Sequence, residues 1–147
     1  MIKYKNGDLL KSDCNIICHQ VNLQGVMGGG IALQIANKYP KCEKVYRRYI
    51  FNVGEKAFGK VLFCKIAKSH YIANCFTQTH DYNTDYEQVK KCFMNIANIA
   101  QKYNLSVGIP YKYGCGIANG DWNIVEKILK DIFLNTNIDC QIWIFNK

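Results

Sequence analysis

The order of apolar and polar positions lays out the chain. Ile2-Lys3-Tyr4-Lys5 alternates and predicts a short strand that stops at Asn6-Gly7. Cys14–Cys18 is a compact apolar run of the buried-strand type, and His19 stands at its end. A glycine cluster follows, Gly25-Val26-Met27-Gly28-Gly29-Gly30. From Ile31 apolar residues return at helical spacing through Ala32, Ile35, Ala36 and Tyr39. Pro40 ends this helix and suits the first turn of the next, which carries Val45, Tyr46, Tyr49 and Ile50 and closes at Gly54.

The second half repeats the alternation of strands and helices. Val61–Ala67 and Tyr71–Phe76 predict two strands close together, and Thr77–Asn83 a loop. Tyr86, Val89, Phe93, Ile96, Ala97 and Ala100 form one face of a long helix, roughly Thr84–Tyr103. Leu105–Pro110 predicts a strand, and a second glycine cluster, Gly114-Cys115-Gly116-Ile117-Ala118-Asn119-Gly120, comes after it. Asp121 is placed to cap a helix bearing Trp122, Val125, Leu129 and Ile132. Ile138, Cys140, Ile142 and Ile144 alternate as a last strand. The pattern predicts the α/β class and a single domain over 1–147.

Composition changes this picture little. The 147 residues are 49% hydrophobic and 20% charged, with two prolines, which excludes a disordered or collagenous chain. No apolar run reaches the roughly 20 residues of a membrane span, and the first residues lack a secretory leader pattern. The eight cysteines are spread through apolar segments with no zinc-type spacing, so they are expected to be core thiols of a reducing, cytoplasmic compartment. No metal and no cofactor is expected. The net charge of +8 favours anionic partners, but the lysines are scattered and form no basic block, so nucleic acid is neither selected nor excluded.

The two glycine clusters carry the functional signal. Each follows a buried strand and precedes a helix, which in an open α/β sheet places it at the carboxyl end of a strand, where ligands bind. Glycine lets backbone approach a ligand closely, and the following helix start offers N–H groups and partial positive charge. Facing one another, two such loops can hold a diphosphate. Gly29 is the position where a Cβ is expected to intrude, either on the phosphate or on a positive φ. Neither loop matches the Walker or GxGxxG spacing.

His19-Gln20-Val21-Asn22 with Gly25–Ala32 resembles the first binding loop of macrodomains, and Val107–Pro110 with Tyr113–Ile117 resembles their second. Asn6-Gly7-Asp8-Leu9-Leu10 resembles an early element of the same family. The likeness runs in order along essentially the whole chain, nearest to small macrodomains of bacteria, phage and yeast, some of which are ADP-ribose 1″-phosphate phosphatases. It implies a three-layer α/β/α fold with a central mixed sheet and a ligand that is ADP-ribose or ADP-ribose 1″-phosphate. Asp8 would read the adenine amino group and the Leu9 backbone the ring edge. Asn22 would meet the distal ribose hydroxyls, or else stabilise its own loop. Gly28, Gly29, Gly30 and Ile31, with Gly114, Cys115, Gly116 and Ile117, would wrap the diphosphate and distal ribose.

The resemblance also bears on chemistry. His19 and Asp121 are the candidate catalytic pair, one handling the leaving group or its proton and the other a water. Each has a plainer alternative: His19 as a loop-orienting residue, Asp121 as a helix cap. Another macrodomain group uses a loop lysine with an aspartate to remove ADP-ribose from proteins. Here the corresponding loop, Cys75–His80, has no lysine, and the aspartate position aligns with Ala118. The expected function is hydrolysis of ADP-ribose 1″-phosphate or a related ADP-ribosyl derivative. Its alternatives are a non-catalytic ADP-ribose reader, or a hydrolase acting on ADP-ribosylated protein or nucleic acid.

Overall fold

The computed structural model describes residues 1–116 and 118–145. Six strands, β1 (Ile2–Asn6), β2 (Ile16–Val21), β3 (Val61–Ala67), β4 (His70–Phe76), β5 (Val107–Pro110) and β6 (Cys140–Ile144), form one sheet in the order β1-β6-β5-β2-β4-β3. All neighbours run parallel except the β3–β4 hairpin, so the sheet is mixed. α1 (Gly30–Lys38) and α2 (Pro40–Val53) cover one face; α3 (Tyr86–Tyr103) and α4 (Trp122–Phe133) cover the other. This is the three-layer α/β/α arrangement.

The pleat of β2 shows why both faces need helices. Ile16 and Cys18 enter the core under α3 and α4, while Ile17 and Val21 enter the core under α1 and α2. A strand apolar on both sides is stable only between two covers. α3 supplies Val89, Phe93, Ile96 and Ala100 at three- and four-residue spacing, all buried. Truncating a buried ring such as Phe93 to alanine costs about 3–5 kcal/mol. α3 begins at Tyr86, because the Asp85 side chain accepts from Gln88 N at 3.2 Å and so caps it.

Two features depart from the sequence pattern. Short 3-10 turns at Leu9–Lys11 and Gly54–Ala57 are too brief to show a period. β2 runs on through His19 and Gln20 to Val21, because β4 pairs with it in register from Ile16–Tyr71 to Val21–Phe76. His19 is thus inside a central strand, not at the end of one. Every cysteine is a free thiol, and seven of the eight are buried. Among the described residues no helix is long and apolar enough to cross a membrane.

Candidate functional site

The loops after β1, β2 and β5 enclose a cleft made of two adjoining cavities. The larger, about 560 Å³, lies between the two glycine loops and is lined by Gln20, Asn22, Gly28, Gly29, Gly114 and Gly116, among others. The smaller, about 460 Å³, is lined by Asp8, Leu9, Gln34, Trp143 and Phe145 with their neighbours. Gly30, Ile31, Pro110, Tyr111 and Lys112 line both and form the waist. Volumes of this size suit a small organic ligand.

The first loop is shaped by Asn22. Its Nδ2 donates to Val26 O at 2.9 Å. Its Oδ1 accepts from Gln24 N at 3.1 Å, Val26 N at 3.3 Å and the Tyr46 hydroxyl at 2.6 Å. The amide expected to meet ribose hydroxyls is therefore committed to its own loop, the plainer of its two readings. Gly29 also differs from expectation: its φ of −153° is extended backbone, and it is the residue before α1. The positive φ belongs to Gly30, at +56°. α1 opens at this point, so its first N–H groups, which lack intrahelical acceptors, start at the wall of the larger cavity.

The second loop is braced from beneath. Gly114 has φ +71°, and a Cβ there would lie 2.8 Å from Thr84 Oγ1. Its carbonyl accepts from the Thr84 hydroxyl at 2.6 Å and from Gly120 N at 2.8 Å. Gln20 Nε2 donates to Thr84 Oγ1 at 3.1 Å and Thr77 Oγ1 at 3.0 Å. Thr77 Oγ1 in turn lies 2.7 Å from the Tyr113 hydroxyl. Tyr113 packs edge-on against Phe93, and burial raises its pKa well above the ordinary phenol value, so it stays a neutral partner. The end of β2, the loop after β4 and the second glycine loop are thereby one hydrogen-bonded unit.

Neither expected catalytic residue lines the cleft. His19 is fully buried, and its Nε2 lies 2.7 Å from Asn74 Oδ1. Asn74 Nδ2 donates to Leu62 O, which turns Oδ1 toward the ring and puts the ring proton on Nε2. Nδ1 is buried without a partner. Burial lowers the His19 pKa to about 4, so the ring is neutral near pH 7. His19 is thus sealed inside the sheet and lines neither cavity, so it does not stand where the catalytic reading expects it. Asp121 is exposed and caps α4, accepting from Asn123 N at 2.9 Å. The helix-cap alternative describes its position.

Of the expected ligand residues, Asp8, Leu9, Asn22, Gly28, Gly29, Gly30, Ile31, Gly114 and Gly116 do line the cleft. Cys115 lines neither cavity; its Sγ sits 3.2 Å from Tyr113 O, and burial together with the charge of Asp121 raises its pKa. Ile117 lies outside the described residues. Gln20 was noted only as part of the first-loop motif, and Gln78, Tyr82 and Lys112 are among the lining residues not singled out in the sequence. Gln20 and Lys112 each close a strand-to-glycine-loop junction, a position that could have singled them out. Gln78 and Tyr82 carry no local signal. Asp8 accepts from Leu10 N at 2.9 Å through Oδ1. Among the described lining residues Asp8 is the one acid and Lys112 the one cation, and the larger cavity has neither carboxylate nor histidine. Among the described residues, no three His, Cys, Asp or Glu side chains are grouped to hold a metal.

Fold and cleft together define an open α/β protein with its site at the carboxyl ends of the strands. The chain belongs to the Macro domain family, whose model matches residues 18–129. It is 31% identical over 140 residues to the Mycobacterium tuberculosis protein named DNA ADP-ribosyl glycohydrolase, covering 90% of this chain and 39% of that protein. It is 31% identical over 101 residues to the Saccharomyces cerevisiae ADP-ribose 1″-phosphate phosphatase, covering 67% of this chain and 57% of that one. The chain thus spans less than two thirds of the length of these relatives. Among solved structures, the macrodomain of Mycobacterium tuberculosis DarG superposes with a TM-score of 0.86 at 29% identity, over 97% of each chain. A Bacteroides thetaiotaomicron protein of unknown function superposes with a TM-score of 0.89 at 27% identity, over 98% of each chain.

Proposed function

We propose that this macrodomain, acting as one unit over 1–147 inside the cell, binds ADP-ribose and hydrolyses a substituent from its distal ribose. The observation that carries the reading is the two-lobed cleft, with the acid at one end, the cation at the waist and both glycine loops around the larger lobe. Asp8 Oδ1 holds Leu10 N, which leaves the other oxygen for an adenine amino group, and the Leu9 backbone reads the ring edge. The diphosphate lies across the waist, against the start of α1, and the distal ribose enters the larger lobe. The names of the mycobacterial and yeast relatives both describe hydrolysis of an ADP-ribose derivative, which supports turnover.

The cleft's chemistry points to positioning and fixed dipoles as the source of rate. Backbone N–H groups at α1 and the second loop steady charge that develops on the leaving oxygen, and side-chain amides such as Gln78 orient a water. His19 then acts only by holding β2 against β4. A non-catalytic reader is the second reading, favoured by the lack of carboxylate and histidine among the described residues of the larger lobe. Two substrates separate these readings. ADP-ribose 1″-phosphate is assayed for released phosphate, and an ADP-ribosylated oligonucleotide for released ADP-ribose, alongside calorimetric titration with ADP-ribose. Tight binding with release from neither substrate establishes the reader. Absence of binding overturns both.

A further inference from the structure

α2 packs its inner face, Cys42 and Tyr46, into the core, and the Tyr46 hydroxyl shares its proton between Asn22 Oδ1 and Asn22 O, 2.6 and 2.7 Å away, in the first glycine loop. Its outer face is a different surface. Lys41, Lys44, Arg47 and Arg48 are all exposed, and Phe51 is 89% exposed, the highest value among the described exposed large hydrophobic residues. At 100° per residue these five side chains fall within about 120° of arc and about 15 Å of helix. The only acid of the helix is Glu43, which reaches Arg47 at 3.8 Å, an exposed pair that offsets little.

We infer that the outer face of α2 docks single-stranded nucleic acid and presents an ADP-ribosylated strand to the neighbouring cleft. The second half of this statement rests on the ADP-ribose reading of the cleft; the first does not. Charge complementarity selects a polyanion, with four cations against one acid. The chain uses lysine for its other basic residues, yet both of its arginines stand side by side here. A guanidinium offers phosphate a planar, two-pronged donor that lysine lacks. The exposed ring among the cations supplies what a single strand adds to a duplex, an unstacked base with a free face. A bilayer is disfavoured, because the helix spends its apolar face on the core and keeps one outward aromatic. The same helix touches the loop that walls the cleft, through Tyr46 on its inner face.

Fluorescence anisotropy with a short labelled deoxythymidine oligomer tests the surface, with a duplex of equal length and phosphatidylserine vesicles as competitors. Arg47→Gln/Arg48→Gln should weaken binding at least tenfold and lower the slope of log affinity against log salt by about 1.4, two phosphates at roughly 0.7 each. Phe51→Ala should weaken binding about fivefold or more with the salt slope unchanged. Both variants should keep wild-type affinity for ADP-ribose by calorimetry and wild-type circular dichroism. The inference falls if the wild type does not bind the oligomer at low salt, if both variants bind it as well as wild type does, or if duplex or vesicles are preferred. Oligomer binding through α2 without ADP-ribose binding would keep the docking surface and remove the cleft reading. ADP-ribose binding without oligomer binding would do the reverse.

Discussion

His19 donates from Nε2 to Asn74 and leaves Nδ1 bare inside the sheet. Its folded pKa of about 4 lies below the ordinary 6.5 of an unfolded chain. Between those values the unfolded chain binds a proton that the native state refuses. The His19 contribution is thus complete above about pH 6.5, declines as pH falls toward 4, and is flat below; its size is up to about 3 kcal/mol. Urea unfolding at pH 7 and pH 4.5 measures that decline, and His19→Gln should show a smaller one. An equal decline in the variant would mean that His19 titrates as an ordinary exposed imidazole. Asp8 makes a second prediction. Asp8→Asn can still cap the turn at Leu10 but turns an amide donor toward the adenine amino group. ADP-ribose affinity should drop about tenfold to a hundredfold, with stability held, in calorimetry and thermal melts. The sequence marked Asp8 and the glycines, because chain-local turns betray them. The burial of His19 was hidden, since it depends on β4, more than fifty residues away, pairing alongside it. The loop-stabilising alternative for Asn22 was legible, since Gln24 and Val26 are chain-local, whereas its bond from Tyr46 of α2 was not.

The second glycine loop acts as an element only because Thr84, Gln20 and Gly120 hold it. Gly114→Ala must place a Cβ against Thr84 Oγ1 and hold alanine at φ +71°. Denaturant unfolding should show a loss of about 1–2 kcal/mol, with weakened ADP-ribose binding. Thr84→Ala opens space for that Cβ, so Gly114→Ala should cost less in that background than in wild type. Additive losses would mean that backbone strain, rather than the contact, sets the cost. Helices were the legible elements: α3 and α4 show their buried stripe in the spacing of Val89, Phe93, Ile96, Val125 and Leu129. β2 was read as Cys14–Cys18 rather than Ile16–Val21, ending too early because His19 and Gln20 are polar. Each is matched by a polar side chain of another segment, Asn74 for His19 and Thr77 and Thr84 for Gln20, and that lets a polar pair continue a buried strand.

For the whole molecule, ligand and fold are thermodynamically linked. A ligand that binds only the native state at a hundred times its Kd adds about 2.7 kcal/mol. A thermal melt with saturating ADP-ribose should therefore rise by several degrees, and a melt with adenosine by less, because adenosine reaches only one lobe of the proposed site. Equal shifts would mean that the glycine-loop lobe is not used. The α/β class was legible from the alternation of elements, whereas the strand order was not, since nothing local says that β6 inserts between β1 and β5. That insertion has a consequence for how the chain is made. β1 has a single neighbour, β6, and Ile2 finds its partner at Cys140. During synthesis β1 must wait, unpaired, until the chain has been made through Cys140. The sheet closes by its most distant contact, which makes folding slow for a domain of this size and puts the aggregation risk in the nascent chain. Nascent chains arrested before Cys140 should be cut readily by protease within residues 1–15, and chains released past Ile144 should resist.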